Sequence, residues 1–320
     1  MPSLLDPAIL FFVFGVCAGL LRSNLEIPRP IAQFLSLYLL MALGLKGGFA
    51  LAATGLQAGV LVGLGLAFLL AAIVPCLAYG FLRRHVPVLD AAAIAAAYGS
   101  VSAVTFVTAM QFLDGQGLQP GGHMSAALVI MESPAVIFAV ALASRLRRNG
   151  HHEAVNAPGL GQVLRESFTQ GPQLLLLGAM AIGWLTGEAG KAMMQPFSID
   201  LFKGMLAFFL LDMGLQVARS LPDARTASPV LIIYALLAPL LHAAIALSLA
   251  WLTDVPLADA ILLMVLAASA SYIVVPAVLR EAIPEARPAL YFGMSLVITF
   301  PLNLLLGIPL YSHVATTVLS

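Results

Sequence analysis

Long apolar runs separated by short polar intervals make up this chain from end to end. The runs lack the strict alternation of barrel strands. They are about 20 residues long, which is what a helix needs to cross the hydrocarbon core of a bilayer. They predict ten spanning helices, at roughly 7–22, 31–53, 57–83, 90–112, 123–146, 171–188, 197–217, 228–252, 257–281 and 287–313. Several run past 20 residues, which requires tilt or local breaks. One interval is clearly hydrophilic. Between Arg145 and Gln170 stand Arg147, Arg148, His151, His152, Glu153, Asn156 and Pro158. The pattern thus divides into residues 1–146, a connector at 147–170 and residues 171–320.

Composition fixes the class. The 320 residues are 61% hydrophobic and 9% charged, against roughly 25% charged in a soluble domain. The chain has too little polar surface to stay dissolved, and is expected to be an all-α integral membrane protein. Net charge is zero, yet its placement is one-sided. Twelve of the fifteen basic residues follow odd-numbered spans: Arg22, Arg29, Arg83, Arg84, Arg145, Arg147, Arg148, Arg165, Arg219, Arg225, Arg280 and Arg287. Basic residues mark the cytoplasmic side, so this face is expected inside and both termini outside. Asp6 and the absence of a basic leader make the first run a retained helix rather than a cleaved signal. Cys17 and Cys76 lie inside apolar runs, where packing is their expected role.

The two halves resemble each other. Met41-Ala-Leu-Gly44-Leu45 in the second span parallels Leu211-Asp-Met-Gly214-Leu215 in the seventh. Gly99-Ser100-Val101-Ser102-Ala103 in the fourth parallels Ala268-Ser269-Ala270-Ser271-Tyr272 in the ninth, and each follows an aspartate, Asp90 or Asp259, at the same distance. Glu132-Ser133-Pro134 in the fifth parallels Thr299-Phe300-Pro301 in the tenth. Five helices per half is an odd number, so the second copy enters from the opposite side and the repeat is inverted.

Polar groups at membrane depth mark the candidate chemistry. Serines at i and i+2 do not share one face of a regular helix. If Ser100 and Ser102, or Ser269 and Ser271, act together, the backbone there must be extended or broken. Two half-helices meeting near the midplane would aim their N-terminal N–H groups at an anion, with hydroxyls from these serines and Thr105 completing the cage. Glu132 costs at least ~2.5 kcal/mol at that depth. With Ser133 and the carbonyls loosened by Pro134, it suits a coupling cation or a carried proton. Tyr272, Thr299 and Asn303 are further groups that could line a cavity. Asp212 and Lys46 occupy matching places in the repeat and could pair; His242 reads as a packing residue. No phosphate-binding loop, His-Glu-x-x-His or Cys-x-x-Cys is present, so neither an enzyme nor a resident cofactor is expected. An intramembrane enzyme built on His242 and Asp212 lacks a framing motif. A gradient is the expected energy source.

The chain resembles the sodium-dependent bicarbonate symporters first described in cyanobacteria. The resemblance rests on Gly44-Leu-Lys-Gly-Gly48, Tyr98-Gly-Ser-Val-Ser-Ala-Val-Thr105, Met131-Glu-Ser-Pro-Ala135 and Leu266-Ala-Ala-Ser-Ala-Ser271. Arg280-Glu-Ala-Ile-Pro-Glu-Ala286 and the segment ending Gly307-Ile-Pro-Leu310 extend it. It implies ten helices in two inverted repeats, a gate domain of helices 1, 2, 6 and 7, and a core domain of helices 3–5 and 8–10. It implies elevator-like transport in a bacterial inner membrane, a homotrimer, and bicarbonate near the core breaks with sodium beside it. It also implies a PII-like regulatory protein on the cytoplasmic side, and no nucleic acid. Carried over, the anion site is Ser100, Ser102, Thr105, Ser269 and Ser271. The intramembrane polar groups themselves, apart from the resemblance, give Glu132, Ser133, Tyr272, Thr299 and Asn303 as the candidate cation-binding or coupling set. Three departures stand out: Tyr272 replaces an aspartate, Val274-Val275 replaces Ser-Gly, and Glu132 replaces an aspartate. Another small carboxylate, or proton coupling through Glu132, is the alternative.

Overall fold

The computed structural model describes residues 6–55, 58–149, 171–224 and 227–319. Most of the expected connector, residues 150–170, lies outside them. Helix α1 (Pro7–Leu20) begins where the Asp6 carboxylate accepts from the Ala8 N–H at 2.8 Å and Pro7 supplies a fixed φ. Helix α2 (Arg29–Thr54) ends at Gly55, whose φ of 71° a side chain would resist. Helices α3 (Ala58–Leu82), α4 (Val88–Gly99), α5 (Ala103–Gly115) and α6 (Met124–Asn149) complete the first half. The second half holds α7 (Gly171–Gln195), α8 (Phe202–Ala224), α9 (Pro229–Leu252), α10 (Leu257–Ala268), α11 (Val274–Ala282) and α12 (Pro288–Leu319). No strand occurs among the described residues.

Six helical stretches are long and apolar enough to cross a membrane: Arg29–Ala53, Gly59–Leu82, Val88–Gly115, Gly171–Pro222, Pro229–Leu252 and Pro288–Leu319. Helices α1 and α10 are shorter apolar helices. The chain is therefore a multi-pass, all-helical membrane protein. The stretch Gly171–Pro222 holds 52 residues, about 78 Å if straight, more than twice a hydrocarbon core. It is kinked within α7 at Gly187 (φ 53°, ψ −139°), and a π-helical turn at Pro196–Asp200 separates α7 from α8. Helix α12 carries two π-helical segments, Met294–Thr299 and Asn303–Gly307. Pro301 lies between them, and its missing N–H disturbs the ladder there.

The helices pack as two groups. In one, α1 lies along α8 and α2 along α7. Small residues permit both approaches: a Cβ on Gly214 would collide with the Phe12 carbonyl, and one on Gly44 with the Leu176 carbonyl. Further along the same seams, Gly19 meets Ala218 and Gly48 meets Gly183. The other group holds α3, α4 and α6 beside α9, α10 and α12. At its centre every residue of α4 from Asp90 to Gly99, and of α10 from Ala258 to Ala268, is buried.

The two aspartates hold these central helices at their outer ends. Asp90 accepts from the Arg287 backbone N–H (2.8 Å) and its Nε (3.0 Å), just before α12. Asp259 accepts from the Gly121 N–H at 2.6 Å, just before α6. His123 stands 3.6 Å from the other Asp259 oxygen. Each carboxylate sits in the first turn of its helix, where the macrodipole favours negative charge.

Candidate transport site

The fourth and ninth predicted spans are each split at the serine motif. Helix α4 stops with Ser100 as its C-cap, and α5 starts with Ser102 as its N-cap. Helix α10 stops with Ser269 as its C-cap. Ser271 stands three residues before the first residue of α11. The i, i+2 spacing thus has a local cause. The first serine of each pair ends one half-helix, and the second serves the start of the next. The Ser102 hydroxyl accepts from the Thr105 N–H (3.2 Å), and the Ser271 hydroxyl accepts from the Val275 N–H (3.2 Å). The first is an N-cap bond; in the second Ser271 reaches past the N-cap residue Ile273, and both satisfy N–H groups otherwise orphaned at a helix start.

The breaks touch each other. The Ser102 N–H donates to the Ser269 hydroxyl at 2.9 Å, and that hydroxyl donates to the Leu266 carbonyl, also at 2.9 Å. The Ser271 N–H donates to the Ala97 carbonyl at 2.8 Å. Each extended segment therefore ties to the helix end of the other, across 167 residues for Ser102 and Ser269. All five predicted anion-site residues meet at this crossing: Ser100, Ser102, Thr105, Ser269 and Ser271, each 4% exposed or less. The Ser100 and Thr105 hydroxyls are buried with no hydrogen-bond partner among the described residues. An unsatisfied buried hydroxyl is costly, and a bound ligand would remove that cost.

A cavity adjoins the crossing. Its lining includes Ser102, Ala103 and Val104 from the start of α5, Ser271 to Val274 from the second break, and Glu132 from α6. Ser36 and Leu40 of α2, with Pro172, Gln173 and Leu176 of α7, close the other side. About 530 Å³ of empty space lies within it, part of it open to solvent. The first N–H groups of a helix have no partner inside it. Those of Ala103, Val104 and Val274 belong to residues of this wall, at the positive ends of two helix dipoles.

Glu132 brings the negative charge. Its Oε2 accepts from the Gln173 amide at 2.7 Å, a bond that joins the α3/α4/α6 group to the α2/α7 seam. The Gln173 side-chain amide oxygen is buried without a partner among the described residues. The Tyr272 hydroxyl is also buried, and its ring rests 5.3 Å from that of Phe300. The side chain of Ser133 lies outside the described residues.

Two members of the expected coupling set stand apart from the cavity. The Thr299 hydroxyl donates to the Ala235 carbonyl (2.9 Å) and pairs with the Tyr98 hydroxyl (2.6 Å). The Asn303 amide donates to the Ala268 carbonyl at 2.8 Å, capping the open end of α10, and its oxygen accepts from Tyr311 at 2.8 Å. Both residues hold the helices around the breaks. The expected pairing of Lys46 with Asp212 is absent among the described residues. Lys46 lies 4.4 Å over the Phe202 ring, and Asp212 accepts from Gln216 at 2.6 Å. Matching positions in a repeat meet only near the axis that relates the copies. His242 is buried on α9.

Gln173 was not singled out from the sequence. Its signal was an amide at the head of the run Gln173-Leu-Leu-Leu-Leu177, where an apolar residue would be expected. Ser36 gave less, since a serine in a spanning helix is ordinary.

A hydroxyl-lined junction of two helix breaks, beside one carboxylate, is chemistry for holding a small anion together with a compensating positive charge. No curated protein sequence matches the chain. The family model of the Na+-dependent bicarbonate transporter superfamily matches residues 7–316, so the chain belongs to that superfamily.

Proposed function

We propose that this protein is a secondary symporter that couples sodium entry to uptake of bicarbonate through an elevator-like movement. The observation that carries the reading is the mutual capping of the two breaks at a cavity that also holds Glu132. Free helix-start N–H groups and hydroxyls suit a compact monoanion. A carboxylate in the same cavity opposes an anion unless a cation or proton accompanies it. That opposition is the physical basis of coupling: the anion binds well only when the positive partner is present. Sodium, as co-substrate, would lie between Glu132 and the anion.

The reading includes ten spans in two inverted five-helix repeats. The paired seams support it, because Gly44 against α7 and Gly214 against α1 are matching positions making matching contacts. So are the two aspartate ties. The α1/α2/α7/α8 group would be the stationary gate, and the group around α4 and α10 the moving core. Gln173 to Glu132 is then a bond between gate and core that each transport cycle breaks. Pro172, Gln173 and Ser36 follow arginine-rich intervals, so the cavity lies toward the face expected to be cytoplasmic.

The test is uptake of labelled bicarbonate by proteoliposomes containing the purified chain. Uptake should require an inward sodium gradient. Uptake that ignores sodium and follows pH would favour the second reading, proton coupling through Glu132. Its support is that Glu132 is the one carboxylate among the cavity's described lining residues, with Tyr272 at the neighbouring position.

A further inference from the structure

A second cavity lies at the ends of α1 and α8, on the arginine-rich face and apart from the serine crossing. Leu20, Arg22, Ser23, Leu215 and Arg219 are among its lining residues, and it holds about 990 Å³ of empty space including open solvent. Two guanidinium groups contribute to it, and no acidic residue lines it among the described residues.

The backbone holds Arg22 there against its own preference. Helix α1 closes with Ser23 N–H donating to the Ala18 carbonyl and Arg22 N–H to the Gly19 carbonyl, both at 3.0 Å. This pattern puts the residue after the cap in the left-handed region, where glycine is the usual occupant. Arg22 sits at φ 54°. Glycine is the residue this turn favours. An arginine is kept here at a conformational cost.

The two arginines are differently engaged. Arg219 donates to the Leu25 carbonyl at 3.2 Å, which holds its guanidinium near the turn. Asp212, whose field reaches Arg219, is bonded to Gln216. Arg22 has no ion pair among the described residues. Beside the cavity, Leu20 and Leu21 are 58% and 81% exposed, an apolar surface continuous with the lipid-facing side of α1.

We propose that this cavity binds the phosphate headgroup of an anionic phospholipid, with Arg22 and Arg219 as its ligands and Leu20 and Leu21 against the acyl chains. Guanidinium groups match phosphate oxygens in pairs. Basic pockets between spanning helices at the cytoplasmic level are suited to such headgroups. Inorganic phosphate offers the same head chemistry without the chains, and the adjoining leucines favour the lipid. The site does not depend on which ion the protein carries.

The test is thermal unfolding of the full-length chain in detergent with added phosphatidylglycerol, phosphatidylcholine or inorganic phosphate, alongside native mass spectrometry of retained lipid. Phosphatidylglycerol should raise Tm by about 3 °C or more, and phosphatidylcholine should not. The R22G variant keeps the left-handed turn, so it should fold at least as stably and yet lose the selective shift and the retained lipid. R22K should recover part of it. An equal shift from both lipids, or an unchanged phosphatidylglycerol shift in R22G, would overturn the site. A shift from inorganic phosphate as large as that from the lipid would overturn the assignment to a phospholipid.

Discussion

At the two breaks a serine hydroxyl first serves its own backbone. Ser102 and Ser271 each hold the N–H three or four residues on, and Ser269 accepts from the opposite segment. Replacing Ser102 or Ser271 with alanine removes a cap and should destabilise the fold by about 1 kcal/mol. Each should also abolish bicarbonate uptake, because the helix start it shapes forms the wall proposed to hold the anion. Chemical denaturation checks the first outcome and proteoliposome uptake the second. Full uptake in both variants would exclude the crossing as the site. At Glu132, the E132Q variant keeps a polar side chain beside Gln173 and removes the charge. The expected outcome is loss of sodium stimulation, measured as uptake with and without a sodium gradient.

Each serine motif pointed to a break only on the condition that both hydroxyls act together, because i, i+2 hydroxyls do not share a helical face. The aspartates ten residues upstream marked the far ends of the same half-helices. Their partners, Arg287 and Gly121, lie 197 and 138 residues away in sequence and are supplied by tertiary packing alone. Gln173 was hidden for the same reason, since its partner Glu132 stands on a different helix. Asn303 was visible as a polar residue but not as the cap of α10, because the orphan carbonyl of Ala268 exists only once the ninth span breaks. The N303A variant leaves that carbonyl and the Tyr311 hydroxyl unpaired. It should cost about 1–3 kcal/mol, seen as a Tm several degrees lower. The seams give a further outcome: G44L and G214L should each block assembly, since both positions face backbone carbonyls. Size-exclusion profiles of the two variants would show it, and a monodisperse peak for either would argue against that seam.

For the whole molecule, an anion pocket and a carboxylate belong in one cavity only if a positive co-substrate joins them. One helix group supplies Gln173 and the other supplies Glu132 and both breaks, so relative movement of the groups would remake the cavity wall. The most direct measurement is labelled bicarbonate uptake into proteoliposomes under an imposed sodium gradient, for the native chain and for S102A and S271A. The account predicts sodium-stimulated uptake by the native chain and background uptake by both variants. Equal uptake with and without sodium, or native uptake at background, would contradict it.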